Sequence, residues 1–235
     1  MITTRDQRGR LDSLLAANGA DVIHVPLIVI EDAPDGGLAL DQALADLDSF
    51  DWLIVTSRHG ARRVGAAAGH PSVQLAAVGT STAAQLAESA GRRPAVVPER
   101  QTAEALVDAM PSVTRDGRRV LIVQADRADD VVASGLRSRG YQVTTVVGYS
   151  TQLRTPSGAE RRAALAADAV VFASGSAASA WAVAFGTVTP SVVVAIGPST
   201  RDVAAAAGLA VTHVASQHSV EGLVWEVASV LGLGP

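Results

Sequence analysis

The side chains best suited to chemistry in this chain are small hydroxyls at the ends of apolar runs. Thr56 and Ser57 close Leu53-Ile54-Val55, and Ser174 with Ser176 closes Val170-Val171-Phe172-Ala173. Ala77-Val78-Gly79-Thr80-Ser81-Thr82 is echoed by Ala195-Ile196-Gly197-Pro198-Ser199-Thr200. An Ala-rich helical pattern follows each echo, the signature of a buried strand handing over to a hydroxyl-capped helix. Hydroxyls and free backbone N–H groups at such ends attract carboxylates and phosphates, each contact contributing about 0.3–1 kcal/mol when exposed. The candidate ligands of an anionic molecule are Arg5, Thr56, Ser57, His59, Gly79, Ser81, Thr82, Arg127, Ser174, Ser176, Gly197, Ser199 and Thr200. For any single Ser or Thr the plain alternative is a helix cap that binds nothing. Tyr149, one of two tyrosines, lies in a segment that crosses between domains, where it either faces a ligand or packs a hinge.

Other chemistries are excluded by what the chain lacks. It has no Cys, and all 19 basic residues are Arg, so thiolate chemistry, Schiff-base lysines and a P-loop lysine are absent. His24, His70, His213 and His218 stand on separate segments without metal-ligand spacing. No dinucleotide fingerprint, nucleophile elbow or Cys/His cluster occurs, and Asp126-Arg127-Ala128-Asp129-Asp130 lacks the Gly and final Glu of a calcium loop. That acidic stretch reads as a helix start with Arg127 turned to the ligand. Neither metal nor cofactor is expected.

The elements that position these residues come in two similar sets. Thr102-Ala103-Glu104-Ala105-Leu106-Val107 is matched by Ser219-Val220-Glu221-Gly222-Leu223-Val224, which extends the echo and points to a duplication. Short apolar runs predict strands at 22–25, 52–55, 75–78, 95–97, 119–123, 143–147, 169–173, 192–196 and 211–214. Helices are expected at 40–47, 60–68, 82–90, 103–110, 129–138, 177–184, 200–207 and 220–231. Strict alternation of this kind means parallel sheets covered on both faces. The segment 38–147 holds one complete set, while the second is split between 1–30 and 157–235. The expected architecture is α/β: two similar flavodoxin-like parallel-sheet lobes, one inserted into the other, with 31–37 and 148–156 as a two-stranded crossing. Ligands of open parallel sheets bind outside the carboxyl ends of the strands, so both lobes would offer donors to one molecule.

Composition fits a small-molecule protein. Apolar residues make up 48% of the chain but aromatics only 3%, so the cores are built from Ala, Val and Leu. A net charge of −4 argues against a nucleic-acid partner. No apolar run approaches the roughly 18–20 residues of a membrane span, and the start of the chain is too short for a signal peptide. A monomer in the cytoplasm is the expectation. The residues alone yield a cofactor-free, two-lobed binder of a polyanion, and leave open whether it catalyses anything.

In order and spacing, Leu53–Ser57, Val78-Gly79-Thr80-Ser81-Thr82-Ala83, Gly148-Tyr149-Ser150-Thr151, Phe172-Ala173-Ser174-Gly175-Ser176 and Ile196-Gly197-Pro198-Ser199-Thr200 resemble the uroporphyrinogen-III synthase family from end to end. The resemblance implies a linear tetrapyrrole substrate, hydroxymethylbilane, whose terminal hydroxyl leaves as water while the last pyrrole ring inverts and the macrocycle closes. It implies that Tyr149 protonates the departing hydroxyl, and that Thr82, Ser174, Ser176, Ser199 and Thr200 lie on carboxylate-contacting loops. Asp6 and Gln124 depart from the family's common Pro and Arg, and Arg58-His59-Gly60 replaces a blander sequence. A non-catalytic two-lobed binding or regulatory protein for a polyanionic small molecule is the alternative.

Overall fold

A computed structural model describes residues 2–3, 9–113 and 117–234. The chain begins with β1 (Ile2–Thr3), α1 (Arg10–Ala17), β2 (Ile23–His24) and β3 (Ile28–Glu31). It continues through α2 (Leu38–Ala45), β4 (Trp52–Val55), α3 (Arg58–Val64), β5 (Gln74–Ala77), α4 (Thr80–Ala90) and α5 (Ala103–Ala109). Next come β6 (Arg119–Ala125), α6 (Val131–Ser138) and the long strand β7 (Gln142–Leu153). The last stretch is α7 (Gly158–Leu165), β8 (Ala169–Phe172), α8 (Gly175–Phe185), β9 (Val192–Ala195), α9 (Pro198–Ala206), β10 (His213–Val214) and α10 (Val220–Leu231).

These elements form a mixed α/β fold dominated by parallel pairing. Contacts divide it into two compact units, one of Met1–Val29 with Gln152–Pro235 and the other of Ile30–Thr151. In the first unit the strand order is β10-β9-β8-β1-β2, and each neighbouring pair is parallel. In the second it is β3-β7-β6-β4-β5, with β7-β6, β6-β4 and β4-β5 parallel.

Alternation along the strands explains why both faces of each sheet are covered. In the second unit Leu53, Val55, Leu121 and Val123 join Val64 and Leu86 on one face, while Trp52, Ile54, Val120 and Ile122 join Leu106, Val132 and Leu136 on the other. The first unit repeats the device: Val170, Phe172 and Val193 pack with Trp181, and Ala169, Val171 and Val194 with Leu11, Leu15 and Val227. A parallel strand buried on both faces has to read as a continuous apolar run, as these do. Trp181 centres an aromatic cluster, edge-on to Phe172 at 6.0 Å and stacked on Phe185 at 4.1 Å.

Several elements differ from the sequence expectation, each for a local reason. The extended segment expected from 148 onward is the continuation of β7, so strand and crossing are one 12-residue element. Helices α4 and α9 begin at Thr80 and Pro198 rather than at 82 and 200, with glycine instead of a hydroxyl as the cap. The expected helix 60–68 is α3 followed by a 3-10 stretch at Gly65–Gly69. The strand expected at 95–97 is reduced to one bridge between Ala76 and Val96, hemmed in by Pro94 and Pro98, which cannot donate to a ladder. The strand expected at 211–214 is shorter, and at Thr212 the N–H donates to the Val193 carbonyl at 3.0 Å while the hydroxyl, in place of the carbonyl, accepts the Val193 N–H at 2.9 Å.

Candidate functional site

Where β4 ends, Ser57 stops being a strand residue and becomes the cap of α3. Its extended backbone and its hydroxyl, which accepts the Gly60 N–H at 3.0 Å, fix the first turn. Gly60 suits that turn, because a Cβ would lie 3.0 Å from Val55 Cγ1. The turn also carries His59, whose ring is 5.4 Å from the ring of Tyr149 at an angle of 51°. Thr56 is half-buried and keeps its N–H on the Val123 carbonyl at 3.4 Å. Ser57, His59 and Tyr149 thus come together at the carboxyl ends of β4 and β6.

Tyr149 enters from β7, the other neighbour of β6. It is buried, with 6% exposure. The register jumps from Gln124 opposite Val147 to Ala125 opposite Tyr149, so Gly148 is an extra residue on β7. A side chain at Gly148 would run into Val123 Cγ1 at 2.6 Å, so the bulge is open only to glycine. Burial pushes the Tyr149 phenol above its ordinary value of 10.0, against the Ser57 hydroxyl, which favours the phenolate, and with the Asp126 carboxylate, which disfavours it. Arg127 lies beyond Asp126, with Nε 3.9 Å from its carboxylate and the side chain 69% exposed.

The two glycine-capped helices repeat one another. Gly79 and Gly197 are buried and extended, Ser81 and Ser199 are exposed, and Thr82 and Thr200 are 4% and 6% exposed. A side chain packs over each glycine: a Cβ would lie 2.5 Å from Gln101 Oε1 at Gly79 and 3.2 Å from the His218 ring at Gly197. Gln101 accepts from the Thr80 N–H at 3.0 Å and lies 3.3 Å from its hydroxyl. Pro198 has no N–H to offer at the matching position. Gln101 and His218 immediately precede the hydroxyl caps Thr102 and Ser219, so the duplication itself marked them as equivalent.

Ser174 caps α8 by accepting the Ala177 N–H at 3.2 Å, and its hydroxyl lies 3.0 Å from that of Ser176. Both serines are exposed. Arg5 and Asp6 lie outside the described residues. Sequence reasoning missed Asp126 and Gln101: a carboxylate inside an acidic run and an amide in a loop carry no distinctive spacing. Among the described residues no His/Asp/Glu group could hold a metal ion, and no helix is long and apolar enough to cross a membrane.

Comparison with known proteins adds a family. Residues 9–225 match the family model described as uroporphyrinogen-III synthase HemD. The chain is similar to the chloroplastic uroporphyrinogen-III synthase of Oryza sativa subsp. japonica, with 30% identity over 193 residues covering 77% of this chain and 63% of that protein. It is also similar to the uroporphyrinogen-III synthase of Synechococcus elongatus, with 33% identity over 167 residues covering 67% of this chain and 61% of that one. The matched regions thus span about three fifths of those relatives' length. Among solved structures, uroporphyrinogen-III synthetase from Helicobacter pylori superposes with a TM-score of 0.67 at 18% identity, over 97% of this chain and 98% of that one. A mutant uroporphyrinogen III synthase from the extremely thermophilic bacterium Thermus thermophilus gives 0.64 at 18% identity, over 98% and 97%. At such identities the likeness is one of fold.

Proposed function

The chain belongs to the uroporphyrinogen-III synthase family, and we propose that it converts hydroxymethylbilane to uroporphyrinogen III with loss of one water. The observation that carries this reading is the family match across residues 9–225. It favours a synthase over a non-catalytic binder of polyanions.

In this reading Tyr149 donates its phenolic proton to the terminal hydroxyl, which leaves as water. The terminal pyrrole ring then inverts through a spiro intermediate, and the macrocycle closes with loss of one pyrrole proton, which restores the phenol. A phenol carries its proton at neutral pH, and burial raises that of Tyr149 further. The rest of the task is geometric, since holding two ends of one molecule in reacting position lowers the barrier without further chemistry. Substrate acetates and propionates are gripped by hydroxyls and N–H groups at Thr56, Ser57, Gly79, Ser81, Thr82, Ser174, Ser176, Gly197, Ser199 and Thr200, with Arg5, His59 and Arg127 adding charge or donors.

We read each unit as a flavodoxin-like lobe. The order β2-β1-β8-β9-β10 is the 2-1-3-4-5 arrangement of that fold. Counting the second unit from β6 gives β7-β6-β4-β5 followed by the Val96 bridge, the same order with the chain cut at another point. The order reverses between β6 and β4, the crevice beside Ser57, His59 and Tyr149. The deciding experiment is incubation with freshly generated hydroxymethylbilane and separation of the porphyrin isomers after oxidation. The inverted isomer III is expected; isomer I alone, the spontaneous product, would end the synthase reading.

A further inference from the structure

One residue holds the strand on both sides of Ser150. The backbone N–H of Asp126 donates to the Tyr149 carbonyl at 3.1 Å, and its Oδ1 accepts the Thr151 N–H at 3.0 Å. Asp126 follows directly on the register jump at Gln124 and Ala125, where the regular β6–β7 ladder ends. Beyond that point the β7 backbone would lose its partner, and the carboxylate replaces it. A bulge re-aims the side chain that follows it, and here that side chain is Tyr149. The bulge sets the direction, and Asp126 locks it.

The charge of that carboxylate is kept mostly from water, with 18% side-chain exposure, and it faces the exposed Arg127 at 3.9 Å. The other polar and charged groups around this end of β7 come from two elements. His59 and Ser57 come from the start of α3. Asp32, just past β3, accepts the Ser150 hydroxyl on its carbonyl at 3.0 Å and pairs through its carboxylate with Arg63 of α3.

We propose that Asp126 is a positioning residue for Tyr149: by holding the Tyr149 carbonyl and the Thr151 N–H, it fixes the backbone that carries the phenol. This rests on reading Tyr149 as the acid of the synthase reaction. Ser57 and His59 reach Tyr149 at its side chain, from α3, whereas Asp126 acts on the strand that carries it.

Two substitutions separate the functions. Asp126→Asn keeps an acceptor for the Thr151 N–H and removes the charge; Asp126→Ala removes both. Tyr149 is followed by phenolate absorbance in a Tyr141→Phe background, which leaves it the only tyrosine in the chain. In Asp126→Asn the Tyr149 titration is expected to move to lower pH, as the nearby negative charge is lost. The alkaline limb of kcat should move down with it. Asp126→Ala should in addition lower kcat by roughly tenfold, the low end of what a displaced acid costs. A Tyr149 titration unchanged in Asp126→Asn, or full turnover in Asp126→Ala, overturns the proposal. The titration needs no substrate. A shifted titration combined with full activity of Tyr149→Phe would therefore keep Asp126 in its place and remove only the acid role.

Discussion

Protonating a departing hydroxyl demands an acid that still carries its proton at the working pH. A phenol meets that demand at neutral pH, and burial moves that of Tyr149 further above 10.0. Replacing it with Phe keeps the ring against His59 and deletes only the hydroxyl. Tyr149→Phe is therefore expected to lower turnover about 10–100-fold with little change in KM, measured as initial rates on hydroxymethylbilane. An unchanged rate would reduce Tyr149 to a packing residue. The same shift sets the sign of the pH dependence: the proton-bearing form is the active one and persists up to the raised phenol value, so any decline at lower pH has another origin. At this scale the sequence singled out Tyr149 but not its surroundings. Tyr149 stood out as one of two tyrosines in a matched segment, whereas the Asp126 role depends on a one-residue bulge that leaves no mark on apolar periodicity.

At the scale of elements, α7 shows how a local motif fastens a longer connection. Ser157 and Glu160 form a capping box: Ser157 Oγ accepts the Glu160 N–H at 3.3 Å, and Glu160 Oε2 accepts the Ser157 N–H at 2.7 Å. Arg154 grips the same carboxylate through both terminal nitrogens, at 3.0 and 2.7 Å. Its Nε donates to the Pro26 carbonyl at 2.6 Å, so the start of α7 is tied to the segment leading into β3. The Arg154 fork, then the Ser157 N–H, lowers the Glu160 carboxyl from 4.5 to about 2. A depressed carboxyl stabilises the fold fully above its unfolded value and loses that contribution as pH falls through its folded value. Glu160→Gln should cost about 1 kcal/mol near neutrality, discounted because the pair is partly exposed. The difference in urea midpoint between the two proteins should shrink between pH 4.5 and about 2; a gap that stayed constant over that window would assign the effect to packing.

The elements also show where reading the sequence works and where it stops. Runs such as Trp52–Val55 and Ala169–Phe172 were legible because a strand buried on both faces must be apolar throughout. Gly148 looked like the end of a strand because glycine usually punctuates one. It is instead a close approach to Val123, a tertiary fact invisible along the chain. The glycine caps of α4 and α9 were misread in the same way: the hydroxyls of Thr82 and Thr200 suggested capping, but the caps are Gly79 and Gly197, under side chains from about 20 residues downstream.

For the whole molecule, the two units differ in how their chains are supplied. The unit Ile30–Thr151 is one continuous piece holding nearly all of its own sheet, and β3 and β7, where that piece begins and ends, are neighbours in the sheet. The other needs β1, which pairs with β2 at the start of the chain, to pair also with β8, which begins only at residue 169. Non-local pairing of that kind is slow to form. The fragment 30–151 has a core on each face of its sheet, so it is expected to fold alone and to unfold cooperatively, with a urea slope of about 1–3 kcal/mol per molar. Beside burial, the two groups that act on the Tyr149 phenol, Ser57 and Asp126, lie within it. The isolated fragment should therefore show the same Tyr149 titration as the whole protein, again in the Tyr141→Phe background, while converting no hydroxymethylbilane. A titration that dropped to the ordinary phenol value in a fragment still unfolding cooperatively would mean that the rest of the chain, and not these residues, keeps the proton on Tyr149.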